Sequence, residues 1–276
     1  MGPALALAAS LSWGFADFFG PLKGRMLGAL RVLFVSQIFG WTAIAIAVAI
    51  HGAGPAASGV LWAIPAAVSG TLGLYAFYRG MAVGAMSVVA PIAGVSAIVP
   101  VAVGFASGDR PSPLQNLGMV LALAGVLLAS REHQEGGGRR FASGIGLALL
   151  AAIGFGGYFP FMHAAGDVDF WWASLVFRTT TLLVLTLAVL ITRTGVRVPR
   201  PDLRVVALVG IGDTLGNALF AAASNYGLVS VTSVLASLYP LVTVVLARTI
   251  LHERVDPSQR LGIAGTLAGV ALISAG

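Results

Sequence analysis

Apolar residues fill this chain in long blocks, and polar residues fall in short clusters between them. A bilayer core of roughly 30 Å takes about 20 apolar residues as a helix, so each block is expected to cross a membrane. Breaks at charged and Gly/Pro clusters give ten spans: 3–21, 29–50, 59–79, 84–107, 113–130, 143–165, 171–192, 204–224, 228–251 and 257–275. The third meets the fourth at Arg79-Gly80, and the eighth meets the ninth at Asn225-Tyr226-Gly227. The blocks are too long and continuous for the ten-residue alternation of a membrane β-barrel.

Composition supports the pattern. Of 276 residues, 58% are hydrophobic and 9% charged, and mean hydropathy is +0.93. A soluble domain carries about 25% charged residues, so this chain is expected to be an all-α integral membrane protein. The run after Met1-Gly2-Pro3 lacks a basic leader and reads as a retained first helix. There is no cysteine, which excludes disulfides, thiolate metal sites and thiol nucleophiles. His51, His133, His163 and His252 have no metal-binding spacing, so no metal or other cofactor is expected.

The net charge of +6 lies in the loops, where basic residues set orientation rather than bind nucleic acid. Lys23, Arg25, Arg31, Arg79, Arg131, Arg139, Arg140, Arg193, Arg197, Arg200, Arg204, Arg248, Arg254 and Arg260 flank odd-numbered loops, and Arg110 alone an even one. The positive-inside rule then puts the odd loops in the cytoplasm and both termini outside.

The chain repeats itself. Residues 109–130 lie over 253–274 without a gap and are identical at 11 of 22 positions, among them Arg110, Pro113, Gln115, Gly118 and Gly125. "SGTLGLYAF" (69–77) matches "IGDTLGNALF" (211–220), and "WGFADFF" (13–19) matches "IGFGGYF" (153–159). The expected organisation is a first unit at 1–130, a linker at 131–141 and a second unit at 142–276. Each unit has five spans, an odd number, so the second enters the membrane from the opposite side. Ser112 and Asp256 are expected N-caps, with Pro113 and Pro257 opening the helices behind them.

These segments, with "SLSWGFADFF" in the first span and "SLYPLVTVVLAR" in the ninth, resemble the EamA-domain transporters of the drug/metabolite transporter superfamily. The resemblance implies ten helices in two inverted five-helix repeats around a central cavity. It also implies secondary transport of a small organic metabolite by alternating access, with cytoplasmic termini where the charge count has external ones. The solute expected is an amino acid or a similar amphipathic molecule, and the direction expected is export. The setting expected is the cytoplasmic (inner) membrane of a prokaryote, with lipid, solute and possible protons as partners, the chain acting as monomer or homodimer.

Charges within spans are costly and face an interior or a cavity. Three occur here: Asp17, Arg178 and Asp213, with Gln37, Asn217 and Asn225 as milder cases. Asp213, Asn217 and Ser224 are placed on one face of the eighth span, and Ser174, Arg178 and Thr181 on one face of the seventh. An Arg178–Asp213 pair is therefore expected, either as structural glue or as an anchor for a charged solute. A carboxylate locked to a guanidinium stays ionised, so Asp17 is the better proton carrier of the two acids considered for coupling. Asp17 can also be read as an interfacial partner of Lys23 and Arg25. Trp13, one turn before Asp17, adds an aromatic wall, and Tyr75 and Tyr239 are expected to line the cavity in preference to Tyr78. Pro91, Pro100, Pro160 and Pro240 are candidate bends.

Two other classes compete. Gly210-Ile211-Gly212-Asp213 matches the GxGD motif of intramembrane aspartyl proteases, with Asp17 as the second acid; four-residue matches arise freely among 36 glycines. A channel would need a continuous polar path, which these isolated polar residues do not supply. No enzyme activity is expected, and no GxxxxGK[ST] segment is present to power an ATPase.

Overall fold

The computed structural model describes residues 1–52, 58–83, 93, 95–129, 145–250 and 257–275. The linker and the cap Asp256 lie outside them. Among the described residues the chain is helical, without strands: α1 (Gly2–Leu27), α2 (Ala29–His51), a 3₁₀ turn (Ser58–Trp62), α3 (Ala63–Val83), a second 3₁₀ turn (Val95–Ala97), α4 (Ile98–Ala106), α5 (Pro113–Ala129), α6 (Ile145–Thr192), α7 (Arg200–Ser224), α8 (Val229–Ala236), α9 (Tyr239–Ile250) and α10 (Pro257–Ala275). Five stretches, Gly2–Leu27, Ala29–His51, Ser58–Met81, Gly146–Thr192 and Arg200–Ser224, are long and apolar enough to cross a membrane.

Local chemistry sets the breaks. Gly28 separates α1 from α2 at φ 99°, and Gly52 ends α2 in the left-handed conformation at φ 69°, which glycine adopts without penalty. α6 would be about 70 Å long if straight, twice what a bilayer holds. It breaks at Asp169, whose backbone is extended. Asp169 Oδ1 then accepts from the amides of Trp171 and Trp172 at 2.9 and 3.1 Å, capping a second helix. The two arms, 145–168 and 170–192, fold together: the Tyr158 and Phe177 rings lie 5.4 Å apart, where a straight helix would separate them by about 28 Å. The sixth and seventh spans therefore turn at an acid, and Pro160 is accommodated without a break. The ninth span does break, at Ser237-Leu238, and Pro240 opens the helix that follows. Pro100 lies in α4, and Pro91 is outside the described residues.

Ser112 is the expected cap. The Gln115 amide donates to Ser112 Oγ at 3.1 Å, and the Ser112 amide donates to Gln115 Oε1 at 2.9 Å, a closed capping box. Ser112→Ala is expected to cost about 1 kcal/mol, measured as a lower unfolding midpoint in detergent with solute binding unchanged.

Small residues bring the helices together. A Cβ on Gly118 would stand 2.8 Å from the Gly269 carbonyl oxygen, and one on Gly125 would stand 2.7 Å from that of Gly262. Rising numbers on α5 meet falling numbers on α10, so these helices run antiparallel. Gly118 aligns with Gly262 in the sequence repeat, and Gly125 with Gly269. Each glycine thus meets the counterpart of the other, the reciprocity of a two-fold contact. Elsewhere α3 lies on the first arm of α6, with a Cβ on Gly154 only 2.5 Å from Gly73 Cα. α1 lies on α7, where Ser12 Oγ donates to the Gly212 carbonyl at 2.6 Å.

Lys23 pairs with Asp202 at 2.6 Å, Arg31 donates to the Gly195 carbonyl, and Arg25 donates to that of Met81. These contacts gather the first, third and seventh loops at one end of the bundle. Leu183, Leu187, Leu190 and Ile191 form an exposed apolar stripe on the second arm of α6, as a lipid-facing surface requires.

Candidate functional site

Three helices meet at one guanidinium. Arg178, on the second arm of α6, is 1% exposed, and its Nη1 donates to Asp213 Oδ2 on α7 at 2.8 Å. The same nitrogen donates to Gln37 Oε1 on α2. Gln37 Nε2 closes the triangle by donating to Asp213 Oδ2 at 3.1 Å. A buried charge needs a partner and filled hydrogen bonds, and Gln37 supplies the second contact to both ions. Arg178 is satisfied on one edge only: Nε and Nη2 are buried and have no hydrogen-bond partner among the described residues. That pair of N–H groups forms a fork that a carboxylate can take bidentately.

The triangle borders a partly open cavity between the helices. Asp17, Arg178, Asp213 and Asn217 supply its charged and amide groups, and Thr71 and Thr181 meet at its wall, 3.1 Å apart through their hydroxyls. Its other walls are aromatic: Trp13, Phe155, Tyr158, Phe159, Phe177 and Tyr239. Trp13 meets Tyr158 and Phe159 edge-on at 5.8 and 6.0 Å, and the Arg178 guanidinium carbon lies 5.2 Å from the Phe177 ring centre. Such packing fixes the rings as rigid walls. The Tyr158 and Tyr239 hydroxyls are buried without partners among the described residues.

Asp17 is buried in this wall and makes no hydrogen bond or ion pair among the described residues. It is not the interfacial partner of Lys23 or Arg25, since Lys23 is held by Asp202 and Arg25 by the Met81 carbonyl. Asn217 shares the face of Asp213 as expected, but its amide donates to the Asp213 carbonyl at 2.9 Å. Ser224 turns back to the Ala221 carbonyl.

Six of the eight expected solute residues line the cavity: Trp13, Asp17, Arg178, Asp213, Asn217 and Tyr239. Gln37 stands behind the ion pair and orders it. Tyr75 is a correction: it is 39% exposed and outside the cavity, while Tyr78 is 3% exposed. The inward face of α3 is marked by Gly70, Thr71 and Leu74. At about 100° per residue, Tyr75 falls beyond the edge of that face and Tyr78 returns to it. The Tyr78 ring covers Gly20 and Gly24 of α1.

Sequence reasoning missed Phe155, Tyr158 and Phe159. The match of "IGFGGYF" to "WGFADFF" does not point to them, since Trp13 and Asp17 align with Ile153, which is 67% exposed, and Gly157.

The model of the EamA-like transporter family matches residues 1–131 and 142–275. A solved crystal structure of a protein, 17% identical, superposes with a TM-score of 0.79 over 98% of this chain and 94% of that one. At that identity the likeness shows the fold alone. No curated protein matches the chain.

Proposed function

Because the chain belongs to the EamA-like transporter family, within the drug/metabolite transporter superfamily, we propose that it is a secondary carrier. On this reading it moves an amino acid or a similar amphipathic solute by alternating access, in the direction of export. Members of this family are transporters, and the chain is a multi-pass membrane protein. The observation that carries the finer reading is that Arg178, a lining residue of an aromatic cavity that also holds Asp17, keeps two donors without a partner among the described residues. The solute's carboxylate takes the Nε and Nη2 donors, its ammonium faces Asp17, and its apolar part rests on the aromatic rings.

The two units are 1–130 and 142–276, inverted with respect to each other across the 131–141 linker. Support comes from the antiparallel, reciprocal glycine contacts of α5 and α10. The end bearing Lys23, Arg25 and Arg31 faces the cytoplasm of a prokaryotic cell by the positive-inside rule. An aspartyl protease fits less well, because Asp213 is held by Arg178 and Gln37 and a catalytic dyad needs two acids that share a proton.

Thermal-shift binding of amino acids, their N-acetyl derivatives and their amides tests the solute class, repeated with Asp17→Asn and Arg178→Ala. Free amino acids are expected to stabilise the parent, and blocking either end is expected to weaken binding more than tenfold, about 1.4 kcal/mol. Equal binding of free and blocked forms contradicts the assignment. Asp17 is the proposed proton carrier. Asp17→Asn, assayed at solute concentrations raised to offset the lost ammonium contact, is expected to transport down a solute gradient yet lose its response to a pH gradient; retention of the full response in proteoliposomes would sink that role.

A further inference from the structure

The helix that starts the ninth span has no cap of its own. Leu228 stands at the N-cap of α8 and offers no side-chain acceptor, although every residue from Val229 to Ala236 is buried. The acceptor comes from the loop between α4 and α5. Asp109 Oδ2 accepts from the Ser230 amide at 2.9 Å and from Ser230 Oγ at 2.7 Å. A carboxylate there satisfies an orphan amide and sits favourably at the positive end of the helix.

The approach depends on two glycines. Gly108 turns the chain at φ 105°, and the Asp109 amide returns to the Gly104 carbonyl at 2.9 Å. A Cβ on Gly104 would stand 2.5 Å from Asp109 Oδ2, 3.0 Å from Val229 Cγ1 and 3.1 Å from Ser230 Cβ. Gly104 thus lets α4 touch α8 where the carboxylate crosses between them.

We infer that Asp109 and Ser230 form a latch that holds the even-loop face of the carrier closed. The inference rests on the carrier reading. Asp109 comes from the first half of the chain and Ser230 from the second, at the face where the fourth and eighth loops meet. Tyr239, which lines the cavity, opens α9, the helix that follows α8. On this inference the carrier opens its even-loop face by parting α4 from α8. Parting breaks both hydrogen bonds and uncaps a buried helix, so the face stays shut until another contact offsets that loss.

The absence of native cysteine permits a clean test on the full chain in liposomes. Spin labels at Ser107→Cys and Tyr226→Cys, both exposed on this face, report its width by pulsed electron resonance without any solute. Asp109→Ala is expected to shift the separation to longer values. Ser230→Ala, which keeps the amide bond, shifts it less, and Asp109→Asn, which keeps an acceptor oxygen, leaves it near the parent. A disulfide between Asp109→Cys and Ser230→Cys, formed in protein without the labels, is expected to abolish amino-acid exchange reversibly. Unchanged separations in both alanine variants, or full exchange by the cross-linked protein, would overturn the latch. If no amino acid is exchanged by any form, the solute assignment fails while the separations still decide the latch.

Discussion

Arg178→Ala loses solute binding and destabilises the protein by about 3–5 kcal/mol, the cost of stranding a buried charge without its partner. Asp213 then keeps only Gln37 beside a low-dielectric wall. Replacing the whole triangle, as Arg178→Met with Asp213→Leu and Gln37→Leu, removes every ion and amide at once. Exchanging a buried ionic group for apolar residues of similar size is often neutral, so this variant is expected to recover most of the lost stability. Binding and transport are expected to stay at least tenfold down in it, because the guanidinium fork is gone. Thermal unfolding and binding measured on the same preparations separate the two roles. A triple variant that is both stable and fully active makes the triangle glue and removes it from the solute site.

Gly210→Val is expected to abolish transport and to destabilise the bundle by upwards of about 3 kcal/mol, the upper range of overpacking. A Cβ at this position would stand 1.7 Å from the Ser36 carbonyl oxygen of α2. That neighbour is backbone and cannot rotate away, so α2 and α7 must separate. Gly40 makes the return contact, its Cβ position lying 2.7 Å from the Gly210 carbonyl oxygen. Gln37 and Asp213 each lie three residues from these glycines, and separating the helices therefore opens the triangle. Gly146→Ala is the control, since among the described residues nothing beyond its own helix turn lies within 4 Å of its Cβ position. Unfolding midpoint and uptake are expected to match the parent there and to fall together in Gly210→Val.

The apolar helices, the Ser112 cap and the ion pair were legible because each leaves a local mark. Charged clusters end apolar runs, Ser112 announces its helix, and an intramembrane Arg near an intramembrane Asp has few other partners. What could not be read was how the two halves interleave. α1 lies on α7 and α3 on the first arm of α6, so each half lends helices to the other. The contacts that decide this are glycine against backbone, and a glycine in an apolar helix carries no sign of its partner. Gln37 was legible only in part. It is a polar residue in a span, which marks an interior, but its role behind Arg178 depends on the rotation of α2. Tyr75 was placed in the cavity because nothing polar marks the centre of the inward face of α3; Gly70 and Leu74 do mark it, and neither has a polar group to show it.

The most direct test places one thiol in the cavity and asks which face reaches it. Leu74→Cys lines the cavity in a chain with no other cysteine. A membrane-impermeant thiol reagent is added outside liposomes holding the protein in known orientation, with a thiol quencher sealed inside, and the orientations are then exchanged. A carrier whose cavity opens to the two faces in turn predicts modification from either face while the internal quencher stays unreacted. Modification from one face only, or consumption of the internal quencher, contradicts it.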